Sequence, residues 1–165
     1  MAYLLDANVF IQAKNLHYGL DFCPAFWDRL VASNAAKSVF SIEKVGDEID
    51  AVADELSTWA EQRGPGFFLK PDPAILPALT SVSAWATTSQ RCDNAAVSTF
   101  LQVADFYLVA HAVAHGHTVV THEIASTSTK RIKIPDACIS LGVKCVTPFE
   151  MLRHERARFV LGSSQ

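Results

Sequence analysis

The sequence predicts an α/β fold in which parallel strands alternate with helices packed on both faces of one sheet. Three observations lead there. Short β-prone runs recur along the chain: "YLL" at 3–5, "SVFSI" at 38–42, "FFL" at 67–69, "HTVVTHE" at 117–123 and "VKCVTP" at 143–148. Between them, apolar residues repeat at helical spacing. Glycine and proline punctuate the joins, as in "RGPG" at 63–66 and "KPDP" at 70–73.

Taken in order, Tyr3–Leu5 reads as a buried first strand that meets a carboxylate at Asp6. Residues 12–23, "QAKNLHYGLDFC", read as a polar and aromatic loop. Pro24 suits the first position of a helix, and Phe26, Trp27, Leu30 and Val31 give that helix an apolar face. Val39 and Phe40 centre the second strand. Val45, Ile49, Val52, Leu56 and Trp59 are spaced by 4, 3, 4 and 3 residues, which predicts one continuous helix ended by "RGPG". After the third strand, residues 74–90 are helical around Ile75, Leu79, Val82 and Trp85. A long helix is predicted from about Asn94 to His115, with Val97, Leu101, Leu108 and Ala112 on one face and Gly116 as its stop. The fourth strand leads into a basic loop, "STSTKRIK" at 126–133, then a short helix over Pro135–Leu141. The fifth strand precedes a final helix holding Phe149, Leu152, His154, Arg156 and Phe159.

A chain of 165 residues fits one domain, 1–165, and an apolar share of 50% is that of a globular protein. The net charge of −3 argues against a surface that coats nucleic acid at large, which requires clustered lysine and arginine. Cys23, Cys92, Cys138 and Cys145 form no Cys-x-x-Cys pair, so reduced thiols are expected rather than a zinc knuckle. No basic segment precedes the first apolar stretch, and no apolar run has transmembrane length. A cytoplasmic protein without a membrane partner is the expectation.

Asp6 and Glu123 both stand at carboxyl ends of predicted strands, which lie on one edge of a parallel sheet and are where such folds build sites. Asp105 follows Leu101 by four residues and precedes Leu108 by three, which places a carboxylate on the buried face of the long helix. Glu48 borders the stripe of the preceding helix. An unpaired buried charge either shifts its pKa or finds a partner. A cluster of acids is relieved by a hard divalent cation such as Mg2+ or Mn2+, which takes oxygen ligands and assists attack on a phosphate. Each acid also has a plainer reading. Asp6 suits a turn or helix cap, and Glu48 sits with Asp47 and Asp50 on what could be a solvated face.

These stretches together resemble the PIN-domain family. The likeness runs along essentially the whole chain, through "LLDANVF", "SIEKVGDEI", "ADFYLVAHAVAHGHTVVTHE" and "VKCVTPFEML", and it extends to "AFWDRL" and "KIPDAC". It is nearest to a bacterial branch akin to VapC-type toxin ribonucleases. The resemblance implies a three-layer α/β/α fold around a parallel sheet of about five strands, and metal-dependent cleavage of single-stranded RNA. It also implies a homodimer and an antitoxin partner, as in toxin–antitoxin pairs. It assigns the acidic, metal-holding cluster to Asp6, Glu48, Asp105 and Glu123, with Asn8 and Thr121 in support. The fourth acid is often aspartate in the family and is Glu123 here. For the second acid, Glu43 at the strand end and Glu48 both stand open, and "VGDEI" favours Glu48.

Other features have competing readings. Lys130, Arg131 and Lys133 could hold RNA phosphates or simply solvate a loop. His111, His115 and His117 lack the zinc-protease signature and read as an exposed histidine edge. Trp27, Trp59 and Trp85, if exposed, could stack on a base, but their helical spacing points to the core first. Two other functions compete with the ribonuclease: a catalytically weak module that binds protein or RNA, and a haloacid-dehalogenase-type phosphatase with Asp6 as nucleophile. The latter class wants an aspartate where this chain has Asn8.

Overall fold

A computed structural model describes residues 1–89 and 91–162. It is a three-layer α/β/α fold around one all-parallel sheet of five strands, ordered β3-β2-β1-β4-β5. The strands are β1 (Tyr3–Leu5), β2 (Val39–Ile42), β3 (Phe68–Leu69), β4 (Thr118–Val120) and β5 (Cys145–Val146). All five fall within the runs expected from sequence. β1 is central: Tyr3 pairs in register with Val39 on one side and Thr118 on the other. Leu4, Leu5, Val119 and Val120 are fully buried, as strands covered on both faces must be.

Nine α-helices flank the sheet among the described residues: α1 (Ala7–Gln12), α2 (Pro24–Ala35), α3 (Glu43–Asp50), α4 (Glu55–Glu61), α5 (Ile75–Thr88), α6 (Asn94–Phe100), α7 (Ala104–His115), α8 (Ile134–Leu141) and α9 (Pro148–His154). The helix expected over 74–90 is α5; its last expected residue, Gln90, lies outside the described residues. α7 packs against α5 and α8 and ends at Gly116, whose φ of 68° is the left-handed stop that favours glycine.

Four expectations need correction. The first half of the loop assigned to 12–23 is helical. α1 passes into a five-residue π-helical segment, Ala13–His17, because Val9, Phe10 and Ala13 insert into the core. The single helix through Val45 and Trp59 is two. Asp54 breaks it by capping α4: its carboxylate accepts from the N–H groups of Leu56 and Ser57, while the Ser57 hydroxyl accepts from the Asp54 N–H. Val52, counted in the apolar stripe, is 62% exposed in the gap. The long helix of 94–115 is also two, α6 and α7, bent by 68° where Val103 is extended. Leu101 therefore lies on the far side of the bend from Asp105, and the helical spacing that linked them does not hold. Finally, α9 stops at His154; Arg156 takes a left-handed φ of 52°, so Arg156 and Phe159 lie beyond the helix.

Among the described residues no single helix is long and apolar enough to cross a membrane, although α6 and α7 pass that test together as a bent pair. All four cysteines carry free thiols. Trp27 is buried, with its indole N–H donating to the Tyr18 carbonyl at 2.7 Å, and Trp59 packs on Phe10, Trp27 and Phe67.

Candidate functional site

Asp6 follows β1 immediately and precedes α1. Its backbone N–H still belongs to the sheet, donating to the Val120 carbonyl at 3.0 Å. Beside it the buried Ser41 hydroxyl ties β2 to the end of β1, donating to the Leu5 carbonyl at 2.6 Å. The carboxylate is thus fixed at the sheet's carboxyl edge, and only 3% of the residue is exposed. Thr121, one residue past β4, donates its hydroxyl to Asp6 Oδ2 at 2.9 Å and accepts the Glu123 N–H at 3.1 Å. The hydroxyl has its acceptor and donor defined, so it orients the Asp6 carboxylate. Thr121 takes the supporting place expected of it. Asn8 lies in the first turn of α1 and makes no hydrogen bond to Asp6.

Asp105 is the second residue of α7 and is half-buried. The bend between α6 and α7 brings the first turn of α7 to the acid edge, where Asp6 also lies. The two aspartates are the groups most displaced from ordinary carboxylate behaviour. Burial pushes Asp6 up to about 6, reinforced by the negative charges of Glu123 and Glu48 and opposed by the Thr121 hydrogen bond. Burial pushes Asp105 up to about 7, reinforced by the charges of Asp6, Glu123 and Glu48 and opposed by Arg131. Among the described residues no lysine or arginine forms a salt bridge with either aspartate.

Glu48 and Glu123 sit around this pair in a different way. Each accepts from the first N–H of a helix that lacks a side-chain cap of its own. Glu48, on α3, takes the Ala104 N–H of α7 at 3.4 Å. Glu123 takes the Ile134 N–H of α8 at 2.8 Å. Glu123 is also held by the Arg131 guanidinium at 2.6 Å. Both glutamates therefore carry a structural duty that the aspartates do not. Glu43, at the start of α3, lines a separate surface pocket with Asp47, Asp50 and Lys70, and its charge is not among those acting on Asp6 or Asp105. Of the two candidates for the second acid, Glu48 is the one facing the pair.

Within the basic loop, Arg131 reaches the acid edge, Lys130 pairs with Asp93 at 3.0 Å, and Lys133 forms the N-terminal boundary of α8. The histidine edge needs correction. His111 is 3% exposed, because it sits on the face of α7 that packs into the core. His115 pairs with Asp72 at 2.9 Å, and His117 accepts the Ala2 N–H at 3.2 Å.

Sequence reasoning missed two groups near this edge and the role of a third. Arg131, read as a phosphate contact or a solvated loop residue, is also the counter-ion of Glu123. Asp136, in "KIPDAC", is buried, accepts the Ser126 N–H at 3.1 Å and lies 3.4 Å from Arg91. His122, between Thr121 and Glu123, meets His17 and Phe149. Only Asp136 had a local signal, an acid in the first turn of a predicted helix.

A family model described as "Domain of unknown function (DUF4411)" matches residues 3–159. The chain belongs to that family. No curated protein and no solved structure matches the chain. The matched span contains every residue of the acid edge, from Asp6 to Glu123, and the description assigns that edge no activity.

The donors here are hard carboxylate oxygens, the chemistry that suits Mg2+ or Mn2+. Among the described residues no three His, Cys, Asp or Glu side chains are close enough to hold one ion together. Asp6 and Asp105, which form no salt bridge among the described residues, are the pair that would hold such an ion, with water completing its shell. Glu48 stands by, and Glu123 is already occupied by Arg131 and Ile134.

Proposed function

We propose that this protein is a divalent-metal-dependent endoribonuclease that cuts phosphodiester bonds of single-stranded RNA. One observation carries the reading: Asp6 and Asp105, from distant parts of the chain, lie within electrostatic reach of each other at the carboxyl edge of the sheet, and among the described residues no basic side chain forms a salt bridge with either. The PIN-like stretches of sequence support the same assignment.

Asp6 and Asp105 would hold the ion, with Glu48 within their electrostatic reach. When bound, the ion supplies positive charge against the developing charge on the phosphate and makes water a better nucleophile. The chain's own groups do the rest. Thr121 aims Asp6 and offsets part of the rise that burial imposes, because a hydroxyl that donates to a carboxylate favours its charged form. Asp105, pushed up to about 7 by burial and then by the charges of Asp6, Glu123 and Glu48, would give up its proton to become the second carboxylate holding the ion. Glu48 positions the first turn of α7, and hence Asp105, by capping Ala104. Arg131 is 60% exposed by side chain and beside the acids, placed to meet a phosphate while it balances Glu123.

The test is cleavage of single-stranded RNA by the purified protein with Mg2+ or Mn2+, set against Asp6→Asn. The proposal expects cutting that requires the cation and is lost in the variant. Equal cutting by Asp6→Asn would remove it. Toxicity of the chain expressed alone, abolished by Asp105→Asn, would extend the proposal to the toxin of a toxin–antitoxin pair. A second reading, a PIN-like module that binds RNA or protein without cutting, is favoured by one fact: Glu123 is already satisfied by Arg131 and Ile134. RNA binding without cleavage in either metal would select it.

A further inference from the structure

We propose that His17 and His122, braced edge-on by Phe149, form a platform on which a base of single-stranded RNA stacks beside the acid pair. This rests on the ribonuclease reading above and names how its substrate is gripped. The three rings come from three separate segments that all leave the same sheet edge. His17 ends the π-helical segment that continues α1 from Asp6. His122 lies between Thr121, which bonds Asp6, and Glu123. Phe149 is the second residue of α9, just past β5.

The centroids of His17 and His122 stand 5.5 Å apart with the rings tilted by 33°, while Phe149 meets His17 edge-on at 5.3 Å and 84° and His122 at 5.7 Å and 64°. These are distances of mutual aromatic contact. The outermost ring, His17, is exposed, while His122 and Phe149 are half-buried beneath solvent. A cluster serving only the core would bury all three. Neither imidazole pairs with a carboxylate among the described residues, unlike His115 with Asp72. The widened π-helical turn that presents His17 is a rare conformation that recurs at functional sites. Next in the chain, Tyr18 stacks on buried Phe26 at 4.5 Å and 13°, which anchors the platform to the core. Exposed Arg153, one helical turn after Phe149, lies within electrostatic reach of Tyr18 and adds a cation at the rim. Aromatic faces with a neighbouring cation are what a single-stranded nucleic acid needs: stacking for its bases and charge for its backbone.

Fluorescence anisotropy with a labelled single-stranded RNA, free of divalent cation so that nothing is cut, reads the platform directly. Wild type is expected to prefer this strand over one of equal length carrying abasic sites. His17→Ala and His122→Ala are each expected to weaken binding roughly 5- to 150-fold and to erase that preference. His17→Phe and His122→Phe, which keep a ring, are expected to retain it. The exposed position of His17 makes His17→Ala informative even if changes at His122 disturb the fold. Alanine variants that bind as tightly as wild type, with wild type still cutting RNA when Mg2+ is supplied, would overturn the platform and leave the ribonuclease reading standing. A wild type that neither binds nor cuts RNA would remove both.

Discussion

Helix α7 links two edges of one sheet that handle buried titratable groups in opposite ways. Its first turn brings Asp105 to Asp6 at the carboxyl edge; its later turns bring His111 and His115 to His117 at the amino edge. At the amino edge the chain supplies its own partners: Asp72 for His115 and the Ala2 N–H for His117. His111 is kept neutral, its pKa pushed down to about 4 by burial first, then by the charges of His115 and His117, against Asp72. At the carboxyl edge two aspartates are pushed up to about 6 and about 7, and among the described residues no cation forms a salt bridge with them. A fold that can satisfy buried polar groups at one end and does not at the other points to the second end as the place for a ligand.

Loss of activity should separate the two edges most strongly. Asp6→Asn or Asp105→Asn should lower RNA cleavage by about a hundredfold or more, whereas His115→Ala should leave it intact. Steady-state rates on one single-stranded substrate decide this. Comparable losses at both edges would mean that α7 is simply sensitive along its length.

The two edges should also give opposite pH signatures. Asp6 has a folded pKa above its ordinary value, so the folded state holds more protons between about pH 4 and 6. Stability from that proton is full below this window and is lost as pH rises through it. Asp6→Asn should therefore stabilise the protein at pH 8 by about 2–3 kcal/mol, with the gain gone near pH 4, as measured by urea unfolding. His111 has a folded pKa below its ordinary 6.5, so its contribution is full above 6.5 and is lost as pH falls toward 4. His111→Leu should flatten that acid-side loss by a similar or smaller amount, about 1–3 kcal/mol. The smallest effect belongs to Arg131→Ala: its side chain is 60% exposed, so stability should change by less than about 1 kcal/mol even though the ion pair is short.

The strand pattern was legible because buried parallel strands are short apolar runs whatever surrounds them; all five, from Tyr3–Leu5 to Cys145–Val146, lie within the runs read from sequence. Helix continuity was less legible. The capping of α4 by Asp54 and the bend at Val103 are local choices that an apolar stripe passes over. Asp105 was singled out for a spacing that the bend removes, yet it does lie partly buried, because α7 begins at the acid edge. Asp6, Asp105, Glu48 and Thr121 were read together from position on strands and helices and from the PIN resemblance. The helix-capping duties of Glu48 and Glu123, the reach of Arg131 and the meeting of His17 with His122 are tertiary facts. They join residues 8 to 105 positions apart, and no window along the chain contains them.

Calorimetric titration of Mn2+ into the protein at pH 7, repeated in two buffers of different ionisation enthalpy, tests the central claim most directly. Binding is expected to release protons, because Asp105 is about half protonated there and Asp6 in small part, and both must ionise to take up the cation. Asp105→Asn is expected to lose both the binding and the release. Binding without proton release, or variants Asp6→Asn and Asp105→Asn that bind Mn2+ as wild type does, would contradict the claim.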